Sequence, residues 1–425
     1  MNIPPSPTRP FDTVAQEPAP NDARWLTWPL RRLVERLLKR LACGSLSVHL
    51  PDGQRLEAAG AAPGPQAAIA LHRWRALARL LLQGDLGLAE SYRNGDWSSP
   101  DLVALLEFGA RNEAAWGRSL AGSTLARGLA HLYRLSRLNT RRGSRRNIAF
   151  HYDIGNDFYA QWLDPAMVYS SALYATGRET LEEAQAAKLQ RIVELLALPP
   201  AATVLEIGCG WGALAMEIAR RGARLTGLTL SAEQLAHARQ QVARQGLEGT
   251  VELRLQDYRE AQGRYDRIVS IEMLEAVGER YWPTYFQTLR ERLAPGGSGV
   301  LQVITIADED FEHYRRGTDF IQRHIFPGGM LPSRAVLAAQ AAAAGLRMSC
   351  ALRFGASYAA TLAEWRRRFG EARGAIAGMG LDASFQRLWE YYLCYCEAGF
   401  RTGRIDVGLY AFGHASEGGG RCNVR

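Results

Sequence analysis

Three glycines, Gly208, Gly210 and Gly212, close an apolar run, TVLEIGCGWG over 203–212. Spaced two apart after strand-like residues, they let the backbone turn sharply and lie close against a ligand before a helix begins. The chemistry such a loop serves is the holding of a nucleotide-bearing cofactor. The end of the next strand narrows the choice. A dinucleotide site asks for an acidic residue roughly 20 positions beyond the glycines, to take the ribose hydroxyls. Here that strand ends in Thr229, Leu230 and Ser231, with Gln234 one turn on. This weakens a nicotinamide reading and leaves S-adenosylmethionine as the stronger candidate.

Other residues capable of chemistry are dispersed. The six cysteines, Cys43, Cys209, Cys350, Cys394, Cys396 and Cys422, include no CxxC pair. Neither a zinc site nor a disulfide framework is expected, and a reducing compartment is the simpler assumption. Six arginines, Arg134, Arg137, Arg141, Arg142, Arg145 and Arg146, crowd one short stretch. Such a run reads first as a solvated linker or helix face, and second as phosphate attraction to lipid headgroups or nucleic acid. Taken alone, Glu275 reads as a helix-start carboxylate in contact with the helix dipole.

The elements that must position these residues follow from pattern. With 425 residues the chain suffices for two or three domains. A formal charge of +8 points to an anionic partner without choosing one. Residues 1–23 are rich in proline and polar residues and read as a disordered leader. Arg24 to Leu41 reads as an amphipathic helix with Leu33, Leu37 and Leu41 on one stripe and Arg31, Arg32, Arg36, Lys39 and Arg40 between them. It either lies on a membrane surface or caps the next domain. From Gly44 to Trp97, short alternating segments, a PDG turn and the helical run HRWRALARLLLQG suggest a small mixed domain, with DLGLAESYRNGDW as turns and core. His151 to Tyr174 is aromatic, polar and without clean period, a composition that covers a site more often than it fills a core. Thr180 to Leu198 reads as a packing helix with Leu189, Ile192, Val193 and Leu196 on one stripe, stopped by Pro199 and Pro200. After the glycine loop, helices and strands alternate through a PGG turn to GVLQVITI, which predicts a parallel sheet wound on both faces with ligands at the strands' carboxyl ends. No run approaches the roughly 20 apolar residues of a spanning helix, so membrane contact is expected to be peripheral.

HYDIGNDFY, YSSALY, VLEIGCGWG, GLTLSAEQ, LQDYRE, DRIVSIEMLEAVG, HIFPGGMLPS and FGASYAATLAEW occur in that order. In combination they resemble the cyclopropane-fatty-acyl-phospholipid synthase family, from about Arg31 to Gly408. The resemblance implies an α/β fold, the Rossmann-like doubly wound sheet of class I methyltransferases, with a smaller mixed α+β N-terminal domain. The implied layout is a leader over 1–23, a lipid-docking or dimerisation domain over 24–130, a basic linker over 131–150, a methyltransferase domain over 151–413 and a flexible tail over 414–425. The implied cofactor site uses Tyr169 and Ser170, Gly208, Gly210 and Gly212, Thr229, Leu230 and Gln234 around the ribose, Asp257 and Tyr258 at the adenine, and Ile271 near the methionine end.

In that family the alkene of a phospholipid acyl chain attacks the sulfonium methyl, and the resulting cation loses a proton to close a ring. Such chemistry needs an apolar tunnel, exclusion of water and a base near the methyl carbon. Aromatic residues such as Tyr152, Tyr159, Trp162, Tyr169 and Tyr174 would stabilise the cation through their faces. The family's base is a bicarbonate held by a Cys, a Glu, a His, a Tyr and a backbone group. Here Ser171 stands at the Cys position, Gln302 at the His position, and Ala276 at the His that follows the Glu; Glu275, Tyr358 and Ile304 are kept. Serine and glutamine can hydrogen-bond an oxyanion but supply no imidazole charge or proton transfer. Bicarbonate is therefore an open member of the cofactor set. The expected product is a cyclopropane chain; the alternative, with Glu275 as direct base, is a methyl- or methylene-branched one. The resemblance further implies a cytoplasmic enzyme at the inner face of the membrane, with phospholipid as partner and a homodimer as an option. A non-catalytic lipid-binding protein on the same fold is a lower alternative. Nucleic acid is disfavoured, since no asparagine-proline-aromatic tetrapeptide of amino-methylating enzymes occurs.

Overall fold

The structure, a computed structural model, describes residues 24–117, 139–140, 143–144, 147 and 154–415, with only the backbone of 24–27. The expected leader, all six arginines of the basic run, His151, Tyr152 and residues 416–425 lie outside the described residues.

The first strands are β1 (Cys43–His49), β2 (Arg55–Ala59), β3 (Ala62–Leu71) and β4 (Trp97–Ser98), in the sheet order β2-β1-β3-β4. The PDG turn joins β1 to β2 as expected, with Gly53 at φ +82°. DLGLAESYRNGDW departs from expectation. Its first nine residues form a helix, Asp85–Arg93, directly after the helix Arg75–Gln83. Gly87 permits this: a Cβ there would sit 2.2 Å from the Arg79 carbonyl oxygen, so only a glycine lets the two helices approach. Tyr92 and Trp97 are core residues, as expected. Among the described side chains of the helix Arg24–Leu38, Val34 and Leu38 are buried, while Leu37 and, past the helix end, Leu41 pack beside Ala67, Phe108 and Trp116. Part of its apolar face is thereby used within its own unit.

Seven further strands, β5 (Thr203–Ile207), β6 (Arg224–Thr229), β7 (Val251–Leu255), β8 (Tyr265–Ile271), β9 (Leu293–Ile306), β10 (Leu346–Arg353) and β11 (Ile405–His414), form the main sheet. Their order is β10-β11-β9-β8-β5-β6-β7. From β9 to β7 all neighbours are parallel; β11 runs antiparallel to both β9 and β10. The sheet is thus an α/β doubly wound one with an antiparallel strand inserted near one edge. The PGG segment is not a free turn. It lies inside β9 as an irregularity, where Tyr265 pairs with Leu293 but Arg267 pairs with Ser298, and Gly296 at φ +73° absorbs the extra residues. Leu205, Ile207, Ile268, Leu301 and Val303 share a core with Tyr285, Phe286, Leu289 and Leu337. Strand alternation then sends Val204 and Glu206 to the opposite face.

Compactness groups the chain differently from a division in chain order. One unit takes the described residues of Met1–Ser136 with Arg316–Ile325 and Ala359–Arg404; the other takes those of Arg137–Arg315, Phe326–Tyr358 and Ile405–Arg425. The physical reason is that the helix Ala383–Arg401 packs on the helices Leu102–Trp116 and Asp85–Arg93. The stretch 151–413 thus contributes residues to both units.

Candidate functional site

Strand order reverses between β5 and β8, and ligands of open α/β sheets bind beyond the carboxyl ends at such a point. The glycine loop leaves β5 there. Gly208, Gly210 and Gly212 have φ of +85°, +52° and +90°, a region that side chains adopt only under strain. The N–H groups of Gly208 and Cys209 both donate to the Leu228 carbonyl, at 2.9 Å each, tying the loop to β6. Past β6, the Thr229 hydroxyl donates to the Gln234 side-chain oxygen at 3.1 Å, and Ser231 caps the helix Ala232–Arg244 through the Gln234 N–H. Leu230 is half-buried between them. Beyond β7, buried Asp257 takes the Arg259 guanidinium at 2.6 and 2.8 Å, while the Tyr258 ring lies edge-on to Tyr285. Tyr169 packs against Tyr159 and Trp162, with centroids 5.4 and 5.5 Å away. Tyr159 and Trp162 are completely buried, so these two fill a core rather than cover a surface.

The residues expected to hold a base do converge, but on a carboxylate the sequence reading did not single out. Glu272, the residue after β8, accepts from the Ser171 N–H at 2.9 Å, from Gln302 Nε2 at 2.6 Å and from the Tyr358 hydroxyl at 2.6 Å. Three elements supply these donors: the loop after Tyr169, strand β9, and the first turn of the helix Gly355–Glu371. The Ser171 hydroxyl itself turns away to the Ala172 carbonyl, so the backbone of this residue, not its side chain, reaches the site. Ile271 pairs with Gln302 across the β8–β9 ladder, and the Glu272 N–H donates to the Gln302 carbonyl at 2.8 Å. Glu272 has φ +47°, a left-handed conformation that costs a non-glycine residue about 1–2 kcal/mol.

Glu275, the expected acid of the set, is separate from these donors. One of its oxygens accepts the Ile304 N–H at 2.5 Å and the other is buried without a hydrogen-bond partner. Of the five residues expected around a bicarbonate, Ser171, Gln302 and Tyr358 thus contact Glu272, while Ile304 contacts Glu275. Burial, then the neighbouring Glu272 charge, pushes Glu275 up to about 8. Burial also raises Glu272, but the Tyr358 and Ser171 hydrogen bonds, the Lys188 charge and the Gln302 amide all oppose that rise. The two carboxyl groups thus share an upward shift from burial but differ in their surroundings: Glu275, raised to about 8, has the Ile304 N–H, whereas Glu272 has four groups that favour its charged form.

Two further buried groups escaped the sequence reading. Lys188 sits on the buried stripe Leu181, Ala184, Gln185, Lys188, Ile192 of the helix Leu181–Leu196, where its ammonium donates to the Ser170 hydroxyl oxygen at 2.7 Å. Burial lowers it to about 8, against the pull of Glu272, Asp164 and Glu206. Glu206, in the middle of β5, is raised by burial to about 8, and Lys188 acts against that rise. The apolar periodicity of that helix hides Lys188, and Glu206 is hidden inside a motif whose glycines draw the attention. The described residues hold no cluster of His, Cys, Asp or Glu able to bind a metal, and the described cysteines, Cys43, Cys209, Cys350, Cys394 and Cys396, form no disulfide.

S-adenosylmethionine fits these residues. A Cβ added at Gly210 would meet nothing within 4 Å, so open space faces the loop backbone where a cofactor would lie. One Glu206 oxygen and the Tyr258 hydroxyl are buried without partners, an acceptor at the loop's base and a hydroxyl at the far strand end. Bicarbonate does not fit. The Ser171 N–H, the Gln302 amide and the Tyr358 hydroxyl are already spent on Glu272, and a second anion about 4 Å from that carboxylate would meet roughly 4 kcal/mol of repulsion at an effective dielectric of 20.

A model of the mycolic acid cyclopropane synthetase family matches residues 139–409. The tuberculostearic acid methyltransferase of Mycobacterium tuberculosis is 40% identical over 400 residues, 88% of this chain and 89% of its own. The cyclopropane-fatty-acyl-phospholipid synthase of Escherichia coli K12 is 36% identical over 351 residues, 80% of this chain and 86% of its own. The crystal structure of a mycolic acid cyclopropane synthase complexed with SAH and CTAB aligns with a TM-score of 0.59 and 31% identity, covering 63% of this chain and 97% of that one. A glycine cradle at the sheet's switch point and sequence likeness along most of the chain agree: this protein belongs to the cyclopropane synthase family of S-adenosylmethionine-dependent methyltransferases.

Proposed function

We propose that this methyltransferase acts on the double bond of an unsaturated acyl chain in a membrane phospholipid, and that its product keeps an alkene as a methyl- or methylene-branched chain. The observation that carries this reading is the set of three donors gathered on Glu272. When bound, S-adenosylmethionine supplies an electrophilic methyl carbon on a sulfonium sulfur. The glycine loop and Glu206 hold the methionine end, Asp257 and Tyr258 the adenine. Burial of the carboxyl pair keeps water away from a cationic chain. A base fixed just past β8 by its own backbone reaches a set of C–H bonds that a freely bound anion need not share, which favours a different site of proton loss from that of the ring-forming relatives. The name of the tuberculostearic acid methyltransferase supports the branched product. Ring closure is the second reading, supported by the likeness to a cyclopropane-fatty-acyl-phospholipid synthase.

The test is mass spectrometry of acyl chains from monounsaturated phospholipid vesicles incubated with protein and S-adenosylmethionine. A gain of one CH2 with the alkene retained supports the branched product. The same gain with the alkene lost selects the ring, and no gain refutes the substrate class. Membrane docking forms part of the proposal. Trp28 is 59% exposed and the Arg32 guanidinium lies 5.1 Å from its ring centroid, an aromatic and basic pair suited to a headgroup layer. No helix among the described residues is long and apolar enough to cross a membrane. Neutral substitution of Arg141, Arg142, Arg145 and Arg146 should weaken binding to anionic liposomes, by about 1 kcal/mol per well-placed arginine. Unchanged binding would remove their role. The inner face of the membrane is the location this docking mode suits.

A further inference from the structure

We propose that Glu272 is the resident general base of this enzyme, a carboxylate built into the chain that occupies the anion-binding donors and makes an exogenous bicarbonate unnecessary. The inference deepens the methyl-transfer reading above and rests on it for the identity of the reaction. It does not rest on it for the anion site.

Three observations lead there independently of the product. The donors on Glu272 come from positions 171, 302 and 358, and each of its two oxygens is used: one takes the Ser171 N–H and the Gln302 amide, the other the Tyr358 hydroxyl. Such a set of buried donors is what an anion site consists of, and here a side chain fills it. Next, Glu272 sits in the left-handed region at φ +47°, where a glycine would rest without strain. A strained non-glycine residue in a buried site persists when the surrounding structure holds it for a purpose. Last, the site lies at the glycine loop: the Met273 side chain, next in sequence, comes within 3.0 Å of the place a Gly208 Cβ would take. Lys188, bonded to Ser170 beside this set, supports the ionised form, while Glu275 carries its own proton.

The chemistry balances without a further reagent. The π pair of the alkene forms the new C–C bond to the methyl carbon, the C–S pair leaves with sulfur as S-adenosylhomocysteine, and a cation remains on the chain. Glu272 then takes one proton. The freed C–H pair becomes the new C=C bond, or the ring bond in the second reading, and the protonated carboxyl returns its proton to solvent after release.

The test compares the protein with Glu272→Gly and Glu272→Gln on monounsaturated phospholipid vesicles, in carbon-dioxide-stripped buffer and with added bicarbonate. The unsubstituted enzyme should release S-adenosylhomocysteine at one rate in both buffers. Glu272→Gly should keep its cofactor affinity, lose about 100-fold or more in turnover, and regain part of it with bicarbonate or formate, which can enter the space left. Glu272→Gln keeps the volume and should lose turnover without rescue. Direct titration with carbon-13-labelled bicarbonate gives a readout free of turnover: no binding to the unsubstituted protein, binding to Glu272→Gly. Bicarbonate-dependent turnover, bicarbonate binding by the unsubstituted protein, or full turnover by either variant would overturn the proposal. A protein inactive on these vesicles would instead refute the substrate reading, and the bicarbonate titration would still decide the anion site.

Discussion

Removing the Tyr358 hydroxyl tests the base assignment through its electrostatics. Tyr358 donates to one Glu272 oxygen at 2.6 Å, and among the influences that lower the Glu272 pKa it is the largest. A hydrogen bond to a charged group contributes about 1.5–3 kcal/mol, and one pKa unit corresponds to about 1.36 kcal/mol. Tyr358→Phe should therefore raise the Glu272 pKa by roughly 1–2 units. The Ser171 N–H, Gln302 and Lys188 continue to favour the ionised form, and protonated Glu275 adds no charge at neutral pH. Because the base must be ionised to act, the acid limb of kcat against pH should move to higher pH by the same roughly 1–2 units. Above the shifted limb kcat should approach that of the unsubstituted protein. The assay is release of S-adenosylhomocysteine at saturating cofactor and vesicles across the pH range, with cofactor affinity measured in parallel by calorimetry. A uniform loss of kcat at every pH with the limb in place would mean that Tyr358 acts on substrate or on packing, and the reasoning would fail.

Gly210→Ala places a Cβ at φ +52°, in the open space before the loop; the strain of about 1–2 kcal/mol and the lost room should weaken cofactor affinity by roughly tenfold or more, read by calorimetry, with the fold intact. Unaltered affinity would show that the loop does not hold the cofactor. Glu206 and Glu275 each rise from an ordinary 4.5 to about 8 in the fold. The folded chain thus binds more protons than the unfolded one between those values, and the urea midpoint should fall as pH rises from about 5 to 8; a rising midpoint would contradict the burial argument. Asp257→Asn leaves the Arg259 guanidinium, only 9% exposed at its side chain, without its counter-charge. A loss of about 3–5 kcal/mol in urea unfolding is expected, and a change below 1 kcal/mol would mean that the pair is not buried in solution.

The legible parts of the site are those where chemistry and local conformation coincide. Gly208, Gly210 and Gly212 could be read directly because their φ values demand glycine, and the strand end at Thr229 because parallel strands repeat a simple pattern. Ser171, Gln302 and Tyr358 could be reached only through likeness to a family, since nothing local marks them. Glu272 was not legible at all. Its role depends on donors brought from three distant segments, and the short motif IEMLEAVG offers two glutamates with no local means of ranking them. Lys188 shows a related limit: a lysine on an otherwise apolar stripe looks like a lapse in periodicity until its partner Ser170 is placed. The helix Asp85–Arg93 was missed because Gly87 reads as a turn signal, whereas its reason is the Arg79 backbone of a neighbouring helix.

The placing of Ala359–Arg404 with the N-terminal residues bears on how the chain is made. The helix Leu102–Trp116 leaves the ribosome long before the helix Ala383–Arg401 that packs on it exists. At about 5–20 residues per second the wait is tens of seconds. Through that interval the faces destined for this packing lack the late helix, although Leu102–Trp116 can already pack on β1 and β3, while the strands β5 to β9 are complete and able to pair. The unit that begins the chain thus waits for that helix, just as the main sheet waits for β11 to enter between β9 and β10. Nascent chains arrested before Ala383 should bind chaperones through the N-terminal segment, and truncation of the C-terminal helices should be felt there first.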